Sequence, residues 1–194
     1  MPRALRNFVP LPALPEGAQT LSDWLQLQVL PPRAAVRLQV RAGSTAGLAG
    51  VSIADVPLPG RPNTWAGTDP VICRVAPDAW LLQSRRNSGA ALATTIRSAL
   101  GTLASAVTEL SDALLTFELE GPDSYAVLAR GCGLDLSPQA FGTRACASTR
   151  LAQCPALIRH AAPARIEIVI DRALAEYLHD WLLDAAVGLA AVRT

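Results

Sequence analysis

The stretch Ser111–Pro138 constrains the fold most, because it predicts a strand, a turn, a helix and a helix end in direct succession. Residues 115–120 alternate apolar and polar side chains, which is typical of a strand with one buried face and one face in water. The run Gly121–Asp123 then favours a helix start: Pro122 fits the first helical position, and Asp123 complements the helix dipole. The next apolar residues recur at helical spacing, and glycines end the helix; these apolar residues are Tyr125, Leu128, Ala129 and Cys132.

Strands and a capped helix are also predicted before this stretch. Residues 71–76 and 79–84 are two short strands joined by a tight turn at Pro77-Asp78. Ser88 is a good N-cap for a helix that ends at Gly101, and residues 107–110 return to extended structure.

The segment 36–50 raises the question of a phosphate site. Residues 36–41 alternate like a first core strand, and the glycine-rich run 43–50 follows directly. Neither the dinucleotide fingerprint nor the P-loop ending is present, which favours a start of a helix built from small residues and packed close to the sheet. The long Pro/Gly loop 55–70, which contains Trp65, is of a length that is often functional or a contact surface.

The C-terminal part predicts a hairpin, a strand and a long helix. Residues 145–152 and 156–160 form the hairpin, which turns near Gln153-Cys154-Pro155, and residues 166–170 form the strand. Asp171 is the predicted N-cap of the helix, and His179 lies on its polar, solvated side. The apolar stripe of this helix comprises Leu174, Tyr177, Leu178, Trp181, Leu182 and Ala185.

The first 35 residues predict an extended arm rich in proline. Proline disfavours regular structure, yet large apolar residues are frequent here, so we expect the arm to pack on a surface. Ser22 is expected to cap a short helix within it. The surface is either the arm's own domain or another subunit.

A similar order of elements recurs in the two halves of the remaining chain. Residues 36–112 and 113–194 each give a strand, a short helix, a loop, paired strands and a long helix. We therefore predict an α+β fold in which residues 36–194 form one domain of two pseudo-duplicated halves, with antiparallel sheets packed against helices.

Composition excludes some classes of function. Only 17% of the residues are charged and the net charge is +1, which argues against a nucleic-acid binder and is compatible with a surface covered by partner proteins. An Ala-rich composition from a GC-rich genome explains the low charge equally well. No uncharged run is long enough to span a membrane, so we expect a cytoplasmic protein. The four cysteines lack paired spacing, which favours buried, reduced thiols.

The sequence contains no pattern that indicates catalysis. We predict no catalytic, cofactor-binding or metal-binding residue in this chain, because His160 and His179 have no ligand-spaced neighbours and hydrolase and metalloprotease motifs are missing. A role in covering and holding another protein follows, with Phe8, Trp24 and Trp65 as candidates for the partner interface.

Several short motifs resemble the gamma subunit of heterotetrameric sarcosine oxidase. The resemblance covers about residues 36–187, and the motifs are moderately specific together. They are Pro62-Asn63, PDAWLL at 77–82, VTELSD at 107–112, Gly121-Pro122, ARGC at 129–132 with LDL at 134–136, Phe141 before Cys146, and YLHDWL at 177–182.

This resemblance implies a fold similar to the folate-binding domain of aminomethyltransferases and a place beside alpha, beta and delta subunits. Such a complex oxidises sarcosine to glycine, hydrogen peroxide and a one-carbon unit. The family places FAD, FMN, NAD and tetrahydrofolate in the alpha and beta subunits and zinc in the delta subunit, so no cofactor residue carries over to this chain.

Three functions follow from these observations. The first is a non-catalytic subunit of an oxidoreductase complex. The second is a stand-alone protein that binds folate or a pterin, because the same architecture binds folate elsewhere. The third is an independent transferase that uses Cys132, which is disfavoured because the C-terminal end of a helix dipole opposes thiolate formation.

Overall fold

A computed structural model of the chain describes residues 14–15 and 17–193. These residues form a six-stranded and a five-stranded antiparallel sheet, a two-stranded ribbon and three α-helices. The strands are β1 (Ala18–Ser22), β2 (Leu25–Val29), β3 (Ala34–Val40), β4 (Ser52–Ile53), β5 (Val56–Pro57), β6 (Trp65–Ala66), β7 (Val71–Ala76), β8 (Ala79–Ser84), β9 (Ser105–Glu109), β10 (Leu114–Glu120), β11 (Cys146–Leu151), β12 (Cys154–Ala162) and β13 (Arg165–Asp171). The helices are α1 (Gly89–Leu100), α2 (Ser124–Ala129) and α3 (Ala175–Arg193), with 3-10 turns at Ser44–Leu48 and Arg172–Leu174.

The two large sheets lie face to face between layers of helix. Sheet A has the order β1-β2-β10-β13-β12-β11, and sheet B has the order β6-β7-β8-β3-β9. Helices α2 and α3 pack on the outer face of sheet A, and α1 packs on the outer face of sheet B, each over its own apolar core. A third, smaller core lies between the sheets. The mixed α+β class with antiparallel sheets is therefore confirmed.

The elements with the clearest sequence signals form as predicted. Strands β7 and β8 and their turn match the predicted hairpin. The Ser88 hydroxyl accepts a hydrogen bond from the Ala91 N–H at 3.2 Å at the start of α1, and Gly101 follows the last helical residue. Strand β10 and helix α2 also form, and the run of small residues 43–50 contains the 3-10 turn.

The helix predicted after Ser22 is wrong. Strands β1 and β2 form a hairpin there, and β2 pairs with β10. Leu25 and Leu27 alternate with glutamines and are buried in the core of sheet A, so the period-two pattern determines the structure. The Ser22 hydroxyl accepts a hydrogen bond from the Trp24 N–H within the turn. The division of the chain at residue 35 stays a prediction, and residues 1–13 lie outside the described residues.

Two predictions about α3 are corrected by the way it packs. His179 is buried rather than solvated, because its ring lies over Phe117 and its Nε2 atom hydrogen-bonds Gln19 on β1 at 3.0 Å. Tyr177, which we placed in the apolar stripe, is 52% exposed. The buried face of α3 is therefore rotated from the predicted stripe, and it consists of Ala175, Leu178, His179, Leu182, Ala185 and Ala186.

The turn between β11 and β12 is also displaced from its predicted position. Ala152 and Gln153 have positive φ values of 48° and 69°, which is the geometry of a two-residue hairpin turn that matches strand twist. Cys154 and Pro155 consequently belong to β12.

Candidate functional site

The inner faces of sheets A and B carry the most unusual side chains of the molecule. On β13, the three isoleucines face α2 and α3, whereas Glu167 and Val169 face sheet B. On β10, Thr116 is buried and its hydroxyl accepts a hydrogen bond from Gln83 of sheet B at 3.3 Å. The prediction of one water-exposed face on β10 is therefore wrong at Thr116, because a second sheet covers that face.

One opening between the sheets is a charged cleft of about 370 Å³, which we call the ionic cleft. Its charged walls come from strands β10, β12 and β13 of sheet A and from connections that precede or follow strands of sheet B. The charged residues that line it are Arg33, Asp69, Arg85, Glu118, Arg159, Arg165 and Glu167.

Glu167 is the centre of the ionic cleft. Its carboxylate accepts two hydrogen bonds from Arg33, at 2.9 and 3.1 Å, and forms an ion pair with Arg159 at 2.5 Å. All three side chains are at least nine-tenths buried. Burial raises the pKa of Glu167, but the hydrogen bond from Arg33 and the charges of both arginines outweigh it and hold that pKa below its usual value. The carboxylate is thus kept ionised between the sheets.

A second carboxyl group in the cleft has the opposite shift. Burial raises the pKa of Glu118, and the nearby charges of Glu167 and Glu120 add to the shift, while Arg165 at 3.9 Å opposes it. Arg165 also pairs with the exposed Glu120 at 3.2 Å. The cleft therefore contains one strongly paired carboxylate and one poorly stabilised carboxylate.

The other opening between the sheets is an apolar groove of about 680 Å³. Its floor consists of aliphatic side chains from both sheets, and charged side chains lie at its rim. The floor residues are Val75, Leu81, Leu114, Leu157 and Val169, and the rim residues are Arg37, Arg150 and Asp171.

Trp65 lies at the junction of the sheets, half-buried beside the ionic cleft. Its indole N–H donates to the carbonyl of His160 at 3.1 Å, and the Arg159 guanidinium lies 4.4 Å from the ring centroid. The indole thus connects β6 of sheet B with β12 of sheet A. Its role at a partner interface stays a prediction.

Trp24 lies at the tip of the hairpin formed by β1 and β2 and is 56% exposed. It borders a recess lined by Ala186 and Leu189 of α3. The hairpin approaches the start of α2 so closely that a Cβ atom on Gly121 would lie 2.0 Å from the Trp24 carbonyl oxygen. Phe8, the third predicted interface residue, lies outside the described residues.

The buried His160 ring makes one hydrogen bond with each of its two nitrogen atoms. Its Nδ1 atom lies 2.8 Å from the Phe141 carbonyl oxygen, which can only accept, so Nδ1 carries the hydrogen. In the neutral ring Nε2 then accepts from the Tyr125 hydroxyl at 2.9 Å. Burial raises the pKa of Tyr125. This arrangement joins α2, β12 and the loop around Phe141, and it is structural in character.

The four cysteines are free and buried, which confirms the prediction of reduced thiols. The Cys132 sulfur lies 3.9 Å from the Thr149 hydroxyl. Among residues 14–15 and 17–193, no three His, Cys, Asp or Glu side chains are grouped closely enough to hold a metal ion. Within the same residues, no helix combines the length and apolar character that a membrane crossing requires.

Sequence reasoning missed the cluster of Arg33, Arg159 and Glu167. Arg33 is far in the chain from Arg159 and Glu167, and each of the three looks like an ordinary polar position of a strand or loop. A usable signal is the isolated Glu167 within an otherwise apolar strand, since a charge among isoleucines needs a buried partner.

Comparisons with known proteins agree on one family. Residues 52–188 match the model of the sarcosine oxidase gamma subunit family. The chain is 31% identical over 158 residues to the sarcosine oxidase subunit gamma of Corynebacterium sp. strain U-96, covering 80% of this chain and 76% of that protein. It is 32% identical over 127 residues to the subunit gamma of Corynebacterium sp. strain P-1, covering 66% and 57% of the two chains.

Solved structures give the same result for the fold. A chain of the heterotetrameric sarcosine oxidase from Corynebacterium sp. U-96 superposes with a TM-score of 0.75 at 29% identity, covering 84% of each chain. Aminomethyltransferase T of the glycine cleavage system from Bartonella henselae superposes with a TM-score of 0.59 at 16% identity over 81% of this chain and 45% of that chain, which shows a shared fold alone. The chain belongs to the sarcosine oxidase gamma subunit family.

Proposed function

We propose that this chain is the non-catalytic gamma subunit of a heterotetrameric sarcosine oxidase that oxidatively demethylates sarcosine to glycine. The observation that carries the proposal is the superposition over 84% of both chains on a member of such a complex.

The partners in this proposal are the alpha, beta and delta subunits. Those subunits hold FAD, FMN, NAD, tetrahydrofolate and zinc. This chain contributes a surface for assembly rather than a cofactor or a catalytic residue. A cytoplasmic location is part of the same proposal, and four free thiols are compatible with a reducing compartment.

Trp24 is the best-supported residue for the partner surface. A large aromatic side chain that is 56% exposed is typical of an interface anchor. Trp65 has its indole N–H and ring face engaged within the chain, so its share in an interface is restricted to its exposed edge.

The test is reconstitution with the three partner subunits from the same host. The wild-type chain should co-purify with them, and Trp24→Ala should weaken assembly at least tenfold while the isolated variant stays folded by circular dichroism. Tyr177→Ala is the matched control, because Tyr177 is similarly exposed on a different element. A wild-type chain that stays monomeric beside the partners contradicts the function. Normal assembly of Trp24→Ala contradicts only the assignment of the surface.

A stand-alone folate- or pterin-binding protein is the competing function. The likeness to aminomethyltransferase T concerns the fold, and the arginines around Glu167 already pair within the chain. Calorimetry with tetrahydrofolate separates the two functions. Micromolar binding by the isolated chain would favour the competing one.

We also infer that the halves 36–112 and 113–194 are structural repeats. The support is the strand order, which is β3-β8-β7-β6 in sheet B and β10-β13-β12-β11 in sheet A. In each set, the strand that comes first in the chain is followed across the sheet by the fourth, the third and the second. In both halves the strand that comes last in the chain, β8 or β13, is followed by a long helix, α1 or α3. An experimental structure in which these four-strand sets fail to superpose would contradict the inference.

A further inference from the structure

Two buried cysteines meet across the boundary between the sheets. Cys73 is on β7 of sheet B and is 2% exposed, and Cys146 is on β11 of sheet A and is 0% exposed. Both belong to the small core between the sheets, and the Cys146 thiol donates to the carbonyl of Arg74, the residue that follows Cys73, at 4.0 Å. Cys132 and Cys154 lie in the separate core between sheet A and its helices.

Backbone contacts hold the two cysteines together. The Cys146 N–H donates to the Asn63 carbonyl at 2.9 Å, and the Trp65 N–H donates to the Arg144 carbonyl at 3.1 Å. Trp65 is in turn the cross-strand neighbour of Cys73. The edges of the two sheets are thus joined beside the thiols, which fixes the approach of β7 and β11 independently of side-chain rotamers.

The surroundings of the pair distinguish its two sulfurs. Cys146 is the cross-strand neighbour of Arg159. The hydrogen bond from Cys73 lowers the pKa of Cys146; burial opposes this, and the charge of Arg159 adds to it. The same hydrogen bond, together with burial, raises the pKa of Cys73. Cys146 is therefore the member of the pair that ionises more readily, and Cys73 lies beside it as a thiol.

We propose that Cys73 and Cys146 form a redox-active pair that closes to a disulfide between the sheets when it meets a peroxide. The Cys146 thiolate attacks one peroxide oxygen, the O–O bond breaks, and a sulfenic acid forms. The Cys73 sulfur attacks the Cys146 sulfur, the S–O bond breaks, and water leaves. Two thiols lose two electrons and two protons, and hydrogen peroxide is reduced to two water molecules.

The residues beside the pair line the ionic cleft. Trp65 and Arg159 line that cleft and are the cross-strand neighbours of Cys73 and Cys146, respectively. We therefore expect a peroxide, which is close to water in size, to enter between these two side chains.

The test uses the folded full chain, treated with hydrogen peroxide, alkylated after denaturation and digested with trypsin. The four cysteines fall in four different tryptic peptides, with Cys73 in residues 42–74 and Cys146 in residues 145–150. We expect one linked peptide pair, 42–74 with 145–150, that disappears on reduction with dithiothreitol. The oxidised chain should also unfold at a temperature about 10 °C higher, because the new bond closes a long loop.

Controls separate a specific pair from general oxidation. Cys132→Ser and Cys154→Ser should leave the linked pair unchanged, and Cys146→Ser should abolish it. Should Cys146→Ser fail to fold, the wild-type peptide map decides alone. Linkage that involves Cys132 or Cys154, or sulfinic and sulfonic acids at Cys146 without linkage to Cys73, overturns the proposal. Four free thiols after an oxidant dose that converts free cysteine in the same tube also overturn it.

Discussion

The two openings between the sheets differ in what closes them. At the ionic cleft, Arg33, which directly precedes β3 of sheet B, donates two hydrogen bonds to Glu167 of sheet A, and Arg159 pairs with the same carboxylate from the neighbouring strand β12. At the apolar groove, aliphatic side chains from both sheets face each other and leave a space of about 680 Å³. The same pair of sheets is therefore held by directed hydrogen bonds at one end and by the burial of apolar side chains at the other.

This difference shows how each kind of contact sets the position of the sheets. A bidentate pair between an arginine and a carboxylate tolerates little displacement, so it defines how β13 lies relative to the start of β3. Apolar contacts have no preferred direction, and they tolerate a gap as long as the floor of the groove stays covered. We therefore expect changes at the ionic cleft to be costly, and changes at the groove to be moderate.

The largest effect is expected for Glu167→Ala. The substitution leaves Arg33 and Arg159 buried without their anion, and breaking a buried pair in this way costs about 3–5 kcal/mol. Urea unfolding followed by circular dichroism measures the change. Glu120→Ala is the matched control, because it removes an exposed carboxylate that pairs with Arg165, and it should cost at most about 1 kcal/mol.

A triple variant distinguishes unpaired charge from lost packing. Arg33→Met, Glu167→Leu and Arg159→Met together remove every charge of the cluster and keep most of its volume. Part of the lost stability should return, since apolar replacement of a buried ion cluster is often neutral or better. If Glu167→Ala unfolds at the same urea concentration as the wild-type chain, the ionic cleft does not hold the sheets together.

A moderate effect is expected for Leu157→Ala at the apolar groove. Leu157 is part of the floor of the groove, so the space that the substitution opens is continuous with solvent. The loss in the free energy of unfolding should therefore be about 2 kcal/mol. Ile158→Ala is the matched control on the same strand, because its side chain points to the closed core of sheet A and should cost about 4 kcal/mol. Equal losses for the two variants in urea unfolding would show that the groove is closed in solution.

The sequence predicted the elements whose signals are local. The hairpin of β7 and β8 and the capped helix α1 depend on turn residues and a cap within a few positions, so they form where expected. Alternation also identified β10 and β13 correctly as strands.

The inner faces could not be predicted, because a period-two pattern does not say what covers the polar face. Thr116 and Glu167 read as water-exposed positions until sheet B is placed over them. His179 was misplaced for the same reason, since β1 comes from a distant part of the chain to cover it. The candidate site consists of such long-range contacts, so its residues were missed although the family was recognised.

The smallest effect is expected for Glu118→Gln. The pKa of Glu118 is shifted in the opposite direction from the pKa of Glu167, so the change in stability should have the opposite sign to that of Glu167→Ala. The pKa of Glu118 is raised above its usual value near 4.5, so its stabilising contribution is complete below that pH and is lost as pH rises through the folded value. Glu167 has a lowered pKa, so its contribution is present above the usual value and is lost as pH falls through the folded one.

At neutral pH, Glu118→Gln should therefore stabilise the chain slightly, by less than about 1 kcal/mol because the group is partly exposed to solvent. As pH falls below the usual value near 4.5 this advantage should shrink, since Glu118 becomes protonated in both states. Urea midpoints at the two pH values measure the difference, and a variant less stable than the wild-type chain at neutral pH would mean that Arg165 stabilises Glu118 more than burial and the neighbouring carboxylates destabilise it.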